Sequence, residues 1–437
     1  MIRNRLLRKL FLVALAAAAV VAVSRFVVVR GLIRPVRVSS GSMAETLVGR
    51  HYHIVCDDCG LPFPCDHDQP PQGMTAVCPN CGFGAIRLRA DRLQVGQRVL
   101  IDQLATLSRL RRWEVVAFQD PYVRGQITVK RLVGLPGEQL AIRDGDVYID
   151  GQLARKDLAQ QRRIAVLVHD NDFRPRQETT LPARWQADAA GSRWRPLGGG
   201  FTFAGDSRQK EPASTFDWLT YRHWRCVLTP LPRTEEAPIR DNYGYNQGVA
   251  RQLHVIRDLM LVCRLKLAGD GEFVVRCNSG IETLQATIRP AAGRLVLSQD
   301  GREIADANWP AEFNGAAVQL VFSNIDRQAI VAAGGRVLLS RPLFTAEQAP
   351  DRPLTPTSRP FALGARDVRV SIEHLSIYRD LYYLDPRGLD VPWQARRPLA
   401  DDEVFVLGDN VPISRDSRAY SPPLKRDAVL GRITRYD

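Results

Sequence analysis

Hydrophobic and polar positions follow different rhythms in different parts of this chain, and each rhythm predicts a different element. The first is an almost uncharged run from Leu10 to Val29, about 20 residues, which as a helix would cover a hydrocarbon core of roughly 30 Å. Only Arg25 interrupts it, close enough to the far end to snorkel to an interface. Arg3, Arg5, Arg8 and Lys9 precede it, and that positive cluster predicts a cytoplasmic N-terminus with everything after residue 30 outside the cytoplasm. A cleavable signal peptide is the competing reading, with Leu10 to Val21 as its apolar region and the small residues Ala22 and Ser24 after it. The run continues through Phe26-Val27-Val28-Val29, beyond any plausible cut, and this favours an anchor.

Farther along, the apolar residues shorten into strand-length groups. Arg98-Val99-Leu100-Ile101, Trp113 to Phe118 and Ile127 to Val133 read as strands, followed by a ribbon turning at Asp144-Gly145 and again at Asp150-Gly151. Within Ile127 to Val133, alternation puts Lys130 on one face with Thr128 and Leu132, and Arg131 on the other with Val129 and Val133. The Lys130 face is therefore partly apolar. A lysine desolvated there would have a lowered pKa, and its neutral amine could accept a proton from a serine hydroxyl.

The segment 153–245 is rich in Arg, Trp and Pro and reads as irregular. Its Gly198-Gly199-Gly200 triplet lacks the lysine and following helix of a phosphate loop, so it is read as a turn. Regular strands return at Leu259 to Leu267, Glu272 to Cys277, Glu282 to Arg289, Arg294 to Ser298, Val318 to Asn324, Gln328 to Ala332, Arg336 to Ser340 and Val368 to Tyr378. With turns such as Asp300-Gly301 they predict an antiparallel β-sandwich, similar to a laminin-G or concanavalin-type jelly roll.

Composition sharpens this picture in two respects. The 437 residues allow roughly two or three domains, and a hydrophobic content of 45% argues for well-buried cores. The formal net charge of +13 comes from arginines scattered over the whole length, without the dense basic, aromatic-interleaved block that tracks nucleic acid. A basic surface beside anionic lipid is the milder implication, and nucleic acid is not an expected partner.

The cysteines are more specific. Cys56-Asp57-Asp58-Cys59-Gly60 and Cys78-Pro79-Asn80-Cys81-Gly82 form two C-x-x-C-G knuckles, a spacing that suits tetrahedral zinc on Cys56, Cys59, Cys78 and Cys81. Outside the cytoplasm the same residues could form two disulfides instead. Cys65, His51, His53 and His67 lie nearby as spare donors, Cys263 and Cys277 occupy neighbouring predicted strands and could pair, and Cys226 is left over. A closed four-ligand site leaves no position for substrate, so this module reads as structural.

The remaining chemistry lies in Ser39-Ser40-Gly41-Ser42-Met43, a Gly-containing turn a few residues beyond the apolar run. Serine at its free pKa is a weak nucleophile and needs a base and an oxyanion stabiliser. Ser40-Gly41-Ser42-Met43, Val129-Lys130-Arg131-Leu132-Val133-Gly134-Leu135-Pro136-Gly137-Glu138, and Gly408-Asp409-Asn410 with Ser414-Arg415-Asp416-Ser417-Arg418 resemble, in order, the motif boxes of type I signal peptidases. The resemblance covers roughly residues 1–152 and 385–437 and implies a membrane-anchored serine endopeptidase with a Ser/Lys dyad on a β catalytic domain. It implies Ser42 as nucleophile, Lys130 as general base and the Ser40 hydroxyl beside the Ser42 amide in the oxyanion hole. Ser414 would orient the Lys130 ammonium, Asp416 and Arg418 would brace the site, and Asp409 would pair with Arg131. In one respect the chain departs from the family pattern: Met43 is followed by Ala44-Glu45, where the family has a proline at the second position, which makes the approach to the nucleophile more acidic.

The expected architecture is thus mainly β: an anchor over 1–31, a catalytic domain over 32–152 and 384–437 with a four-cysteine ribbon at 51–90, an irregular insertion at 153–245 and a β-sandwich at 246–383. The expected partners are secretory preproteins, the lipid bilayer and the export machinery, with no catalytic cofactor and a structural zinc as the candidate metal. A membrane-anchored glycan- or protein-recognition protein on a degenerate peptidase scaffold is the alternative.

Overall fold

The structure is a computed structural model that describes the chain apart from residues 1, 30, 32, 107–109, 177–180, 206–214, 228–232, 344–353 and 436–437, with only the backbone described at 2–8, 10, 26–29, 105, 106 and 435. It is mainly β, as expected, with two α-helices among the described residues. The first helix spans Ile2–Val29 and carries Phe11, Leu12, Val13, Leu15, Val20, Val21 and Val23 exposed to solvent. Among the described residues no helix is long and apolar enough to cross a membrane. The two ends of the expected span, Leu10 and Phe26–Val29, lie outside the residues whose side chains are described.

The chain divides into two compact units. The first, residues 1–50, 95–140 and 394–437, holds a seven-stranded sheet. Its strands lie in the order Ile33–Arg37, Arg98–Asp102, Val429–Arg435, Val115–Gln119, Ile127–Gly134, Glu403–Leu407 and Leu424–Lys425. Alternation gives this sheet two apolar faces. On one face Val116, Phe118, Leu132, Val406, Tyr420 and Leu424 pack together; on the other Val38, Met43, Leu47 and Val99 pack with Val115 and Val129. Ile127–Gly134 lies between two neighbours, opposite Val115–Gln119 and Glu403–Leu407. Both its edges are thereby paired, the two apolar clusters cover its faces, and Lys130 and Arg131 are both buried.

The second unit, residues 51–94 and 141–393, is a two-sheet sandwich with the cysteine ribbon attached. One sheet runs Trp194–Leu197, Gly200–Phe203, Arg369–Arg379, Leu259–Ala268, Ala317–Ile325, Gln328–Ala333, Arg336–Pro342, with Val166–Asp170 also paired to Arg369–Arg379. The other runs Trp185–Ala187, Asp217–Tyr221, Phe361–Arg366, Glu272–Asn278, Thr283–Arg289, Arg294–Gln299, Arg302–Asn308. Leu261, Cys263 and Leu265 from the first meet Phe273, Val275 and Cys277 from the second in one core, while Arg264 and Lys266 alternate outward.

Two expectations need correction. The segment 153–245 is not irregular: it supplies strands to both sheets of the sandwich and a short helix, Leu158–Ile164, capped by Asp157 and Gln160 acting reciprocally. Cys263 and Cys277 do not pair. Their strands belong to different sheets, and both thiols are free and buried, each held up by burial, Cys263 at about 12.

A buried polar joint fastens the start of this unit to the sandwich. Lys156 Nζ lies 2.7 Å from Asp326 Oδ1 and 3.0 Å from Asp380 Oδ2, and Arg257 sits beside Asp146 and Asp258. Four carboxylates therefore share two cations away from water. Burial pushes Asp380 up to about 7, with Lys156 opposing the shift and Asp326 and Asp258 adding to it. A carboxyl with a raised folded pKa contributes stability that is full below its unfolded pKa and is lost as pH rises through the folded one. The thermal transition of this unit is therefore expected to fall as pH rises from about 4 to about 7, and Asp380→Asn to flatten that fall; calorimetry across the range measures both.

Candidate active site

The turn that carries Ser42 is held by short contacts that its sequence dictates. Ala44 N donates to Gly41 O at 2.9 Å and Leu47 N to Met43 O at 2.8 Å, while Met43 and Leu47 sink into the apolar cluster with Val38 and Val99. Gly49 lies against the Ser40 backbone so closely that a β-carbon there would stand 2.4 Å from the Ser40 carbonyl carbon. Ser40 is exposed and Ser42 half-buried, with the Ser40 hydroxyl donating to Ser42 Oγ at 3.4 Å. The Ala44–Glu45 peptide, at the position of the sequence departure, is cis.

Lys130 is 2% exposed and its Nζ donates to Ser414 Oγ at 3.0 Å. The Ser414 hydroxyl in turn donates to Asp416 Oδ2 at 3.1 Å, and Arg418 closes the chain with Nε and Nη2 each 2.9 Å from that carboxylate. Desolvation pulls the Lys130 amine down to about 8, against the attraction of Asp416 and Asp409, which works the other way. On the opposite face Arg131 is fully enclosed. Its Nε donates to Asp409 Oδ1 at 2.8 Å, its Nη2 to Asp409 Oδ2, and its Nη1 to the Trp113 carbonyl at 2.7 Å. The same guanidinium reaches Thr46 Oγ1 at 3.4 Å, touching the turn after Ser42.

The structure thus brings Lys130, Ser414, Asp416 and Arg418 into one hydrogen-bonded chain, and Arg131 and Asp409 into an ion pair. Among the described residues no hydrogen bond joins Ser42 directly to Lys130. Their link runs through Gly408, where a β-carbon would lie 2.0 Å from Ser414 Oγ and 2.8 Å from the Ser42 carbonyl oxygen. Catalytic hydrogen bonds in the absence of substrate are commonly longer than in the loaded complex.

Asn410 is a residue of this site to which sequence reasoning gave no role. It is fully buried, its side-chain nitrogen donates to Gly41 O at 2.9 Å and its backbone nitrogen to Ser42 O at 3.1 Å. The signal was present, since Asn410 ends the Gly408-Asp409-Asn410 motif. Nothing in one strand of sequence says which distant carbonyl an asparagine will clamp.

In the second unit, the four knuckle thiols converge, with Sγ–Sγ distances of 3.7 Å for Cys56–Cys81 and 3.6 Å for Cys59–Cys78. All four sulfurs lie within 4.8 Å of one another, and the cysteines are buried and free. A disulfide would need about 2.05 Å, whereas thiolates at roughly 2.3 Å around a tetrahedral ion stand about 3.8 Å apart. The donor set therefore fits a metal ion. Cys65 lies outside it, its thiol pushed up to about 12 by burial and by Asp66.

The family model described as signal peptidase, peptidase S26, matches residues 87–190 and 385–436. The match supports the signal peptidase family over roughly a third of the chain, which includes Lys130, Arg131, Asp409, Ser414, Asp416 and Arg418 but not Ser40 or Ser42. No curated protein matches the chain. Among solved structures, a carbohydrate-binding module from Bacillus subtilis is 8% identical, with 45% of this chain and 95% of that chain covered and a TM-score of 0.28. A galectin from Caenorhabditis elegans is 15% identical, with 32% and 90% covered and a TM-score of 0.21.

The lowered pKa of Lys130 has a measurable consequence. A base with a depressed folded pKa contributes stability that is present above its unfolded pKa, 10.5, and is lost as pH falls through about 8. At pH 7 the buried ammonium is thus a destabilising element. Lys130→Met is expected to raise unfolding free energy at that pH by on the order of 2 kcal/mol, measured by denaturant titration, with the gain shrinking at high pH.

Proposed function

We propose that this chain is a membrane-anchored serine endopeptidase of the signal peptidase kind, which removes signal peptides from exported preproteins through Ser42 and Lys130. The observation that carries the reading is the environment of Lys130: desolvated, lowered to about 8, and held by Ser414 beside the glycine on which the Ser42 carbonyl rests. The family match over the lysine and the C-terminal set supports the same reading.

In this mechanism the neutral Lys130 amine takes the Ser42 hydroxyl proton as Oγ attacks the scissile carbonyl. The Ser40 hydroxyl and the Ser42 amide donate to the oxyanion. The Lys130 ammonium then protonates the leaving amine, and the amine so regenerated activates the water that releases the acyl group from Ser42. Ser414 keeps the ammonium aimed, Asp416 and Arg418 hold Ser414, and the Arg131–Asp409 pair fixes the strand against the Ser42 turn. The apolar helix exposed around Phe11 to Val23 would seat the chain in the cell membrane, N-terminus inside and both units outside, where preproteins leave the export machinery. The four-cysteine cluster would hold one structural zinc ion that takes no part in cleavage.

In a preprotein-cleavage assay, Ser42→Ala and Lys130→Ala are each expected to lower turnover by at least about a thousandfold. Equal product from all three proteins would sink the dyad, and no product from the unaltered chain would favour the recognition alternative. Cleavage by the unaltered chain should fall about tenfold per pH unit once pH drops well below 8, because only the neutral amine acts as base. Asp416 holds the Lys130 pKa up, so Asp416→Asn should shift that limb toward acid. Elemental analysis beside thiol counting is expected to give one zinc per chain and no disulfide at the knuckles.

A further inference from the structure

The sandwich unit contains a cavity of about 310 Å³ that cleavage does not use. This is within the size range of small-molecule sites. Its walls are aromatic, with Trp185, Trp194, Trp224 and Phe201, and its basic lining residues are Arg174 and Arg184; Cys81 of the knuckle also reaches the wall, and no carboxylate is among the described lining residues.

Arg184 is the unusual member. It is 6% exposed, and its hydrogen-bond partners are the Tyr221 hydroxyl at 3.3 Å, His223 Nδ1 at 3.5 Å and the Cys226 thiol at 3.1 Å, with its guanidinium over the Trp224 ring. None of these partners is a carboxylate. Among the described residues no carboxylate is hydrogen-bonded to this buried cation, so the cavity wall that carries it can take a negative group. The Trp185 indole nitrogen, another lining group, is buried with no partner and can donate. Flat aromatic walls accept the face of a ring, and two arginines accept a carboxylate.

We propose that this cavity binds a small carboxylate-bearing six-membered ring, with Arg184 and Arg174 receiving the carboxylate and the tryptophans receiving the ring face. The cysteine knuckle forms part of the wall. Asn80, between Cys78 and Cys81, donates to the Phe173 carbonyl at 2.8 Å and accepts from Asp170 N at 2.9 Å, and its Oδ1 lies 2.8 Å from His169 Nδ1. Asn80, Cys81 and His169 all line the cavity, which puts the cysteine loop in its wall.

Titration calorimetry and thermal shift on the full chain test this with glucuronate, benzoate and neutral glucose as probes. At least one acid is expected to bind and raise the melting temperature, glucose to bind at least about tenfold more weakly, and Arg174→Gln and Arg184→Gln each to weaken the acid about tenfold or more. Glucuronate alone would identify a sugar acid, benzoate alone an aryl acid. Arg174 is only half-buried, so its variant keeps the test open if Arg184→Gln fails to fold. Binding of glucose as strong as that of the acids, no effect of Arg174→Gln on acid affinity, or no binding of either acid at millimolar concentration would overturn the proposal.

Discussion

Removing one ammonium group from water is the constraint on which the first unit is arranged. Lys130 sits mid-strand opposite Val116 and is 2% exposed, so its charged form loses hydration that no adjacent carboxylate fully replaces. Asp416 could neutralise it directly, but Ser414 stands between them and Arg418 already occupies the carboxylate. The amine is left poorly solvated and weakly compensated. An amine lowered to about 8 is the result, which is what the proposed cleavage requires of a base, and the instability it brings is the usual cost of such a site.

The Ser42 turn is placed by contacts from residues 408–410. Asn410 clamps the Gly41 and Ser42 carbonyls, Gly408 lets Ser414 and the Ser42 backbone meet without a side chain between them, and Asp409 holds Arg131 on the other face. Three consecutive residues thus tie the Ser42 turn, the Lys130 chain and the Arg131 pair together. The sandwich unit has a different logic, a conventional alternating core to which a buried ionic joint and an aromatic cavity are added.

Much of this was legible wherever period-two alternation was clean. The faces of Lys130 and Arg131 follow from Ile127 to Val133 alone, and most strands from Leu259 onward fall within a residue or two of their expected bounds. Some strands were missed where they are short, contain proline or lie at a sheet edge, as with Trp185–Ala187, Trp194–Leu197 and the edge strand Arg302–Asn308, and the central strand Phe361–Arg366 was missed because its nearly continuous buried run shows no alternation. The pairing suggested for Cys263 and Cys277 failed because adjacency in sequence does not say whether two strands share a sheet or face each other across a core. Asn410 and the close approaches at Gly49 and Gly408 depend on tertiary contacts that no local pattern encodes.

The proposed cleavage depends on the protonation state of a single amine, and that state can be read directly. Selective isotopic labelling of lysine in the full chain allows the Lys130 side-chain resonance to be followed against pH, with Lys130→Met assigning it. A midpoint near 8 is expected, moving down in Asp416→Asn. A midpoint at the ordinary lysine value of 10.5 would contradict the desolvated base and, with it, the proposed Ser42–Lys130 chemistry.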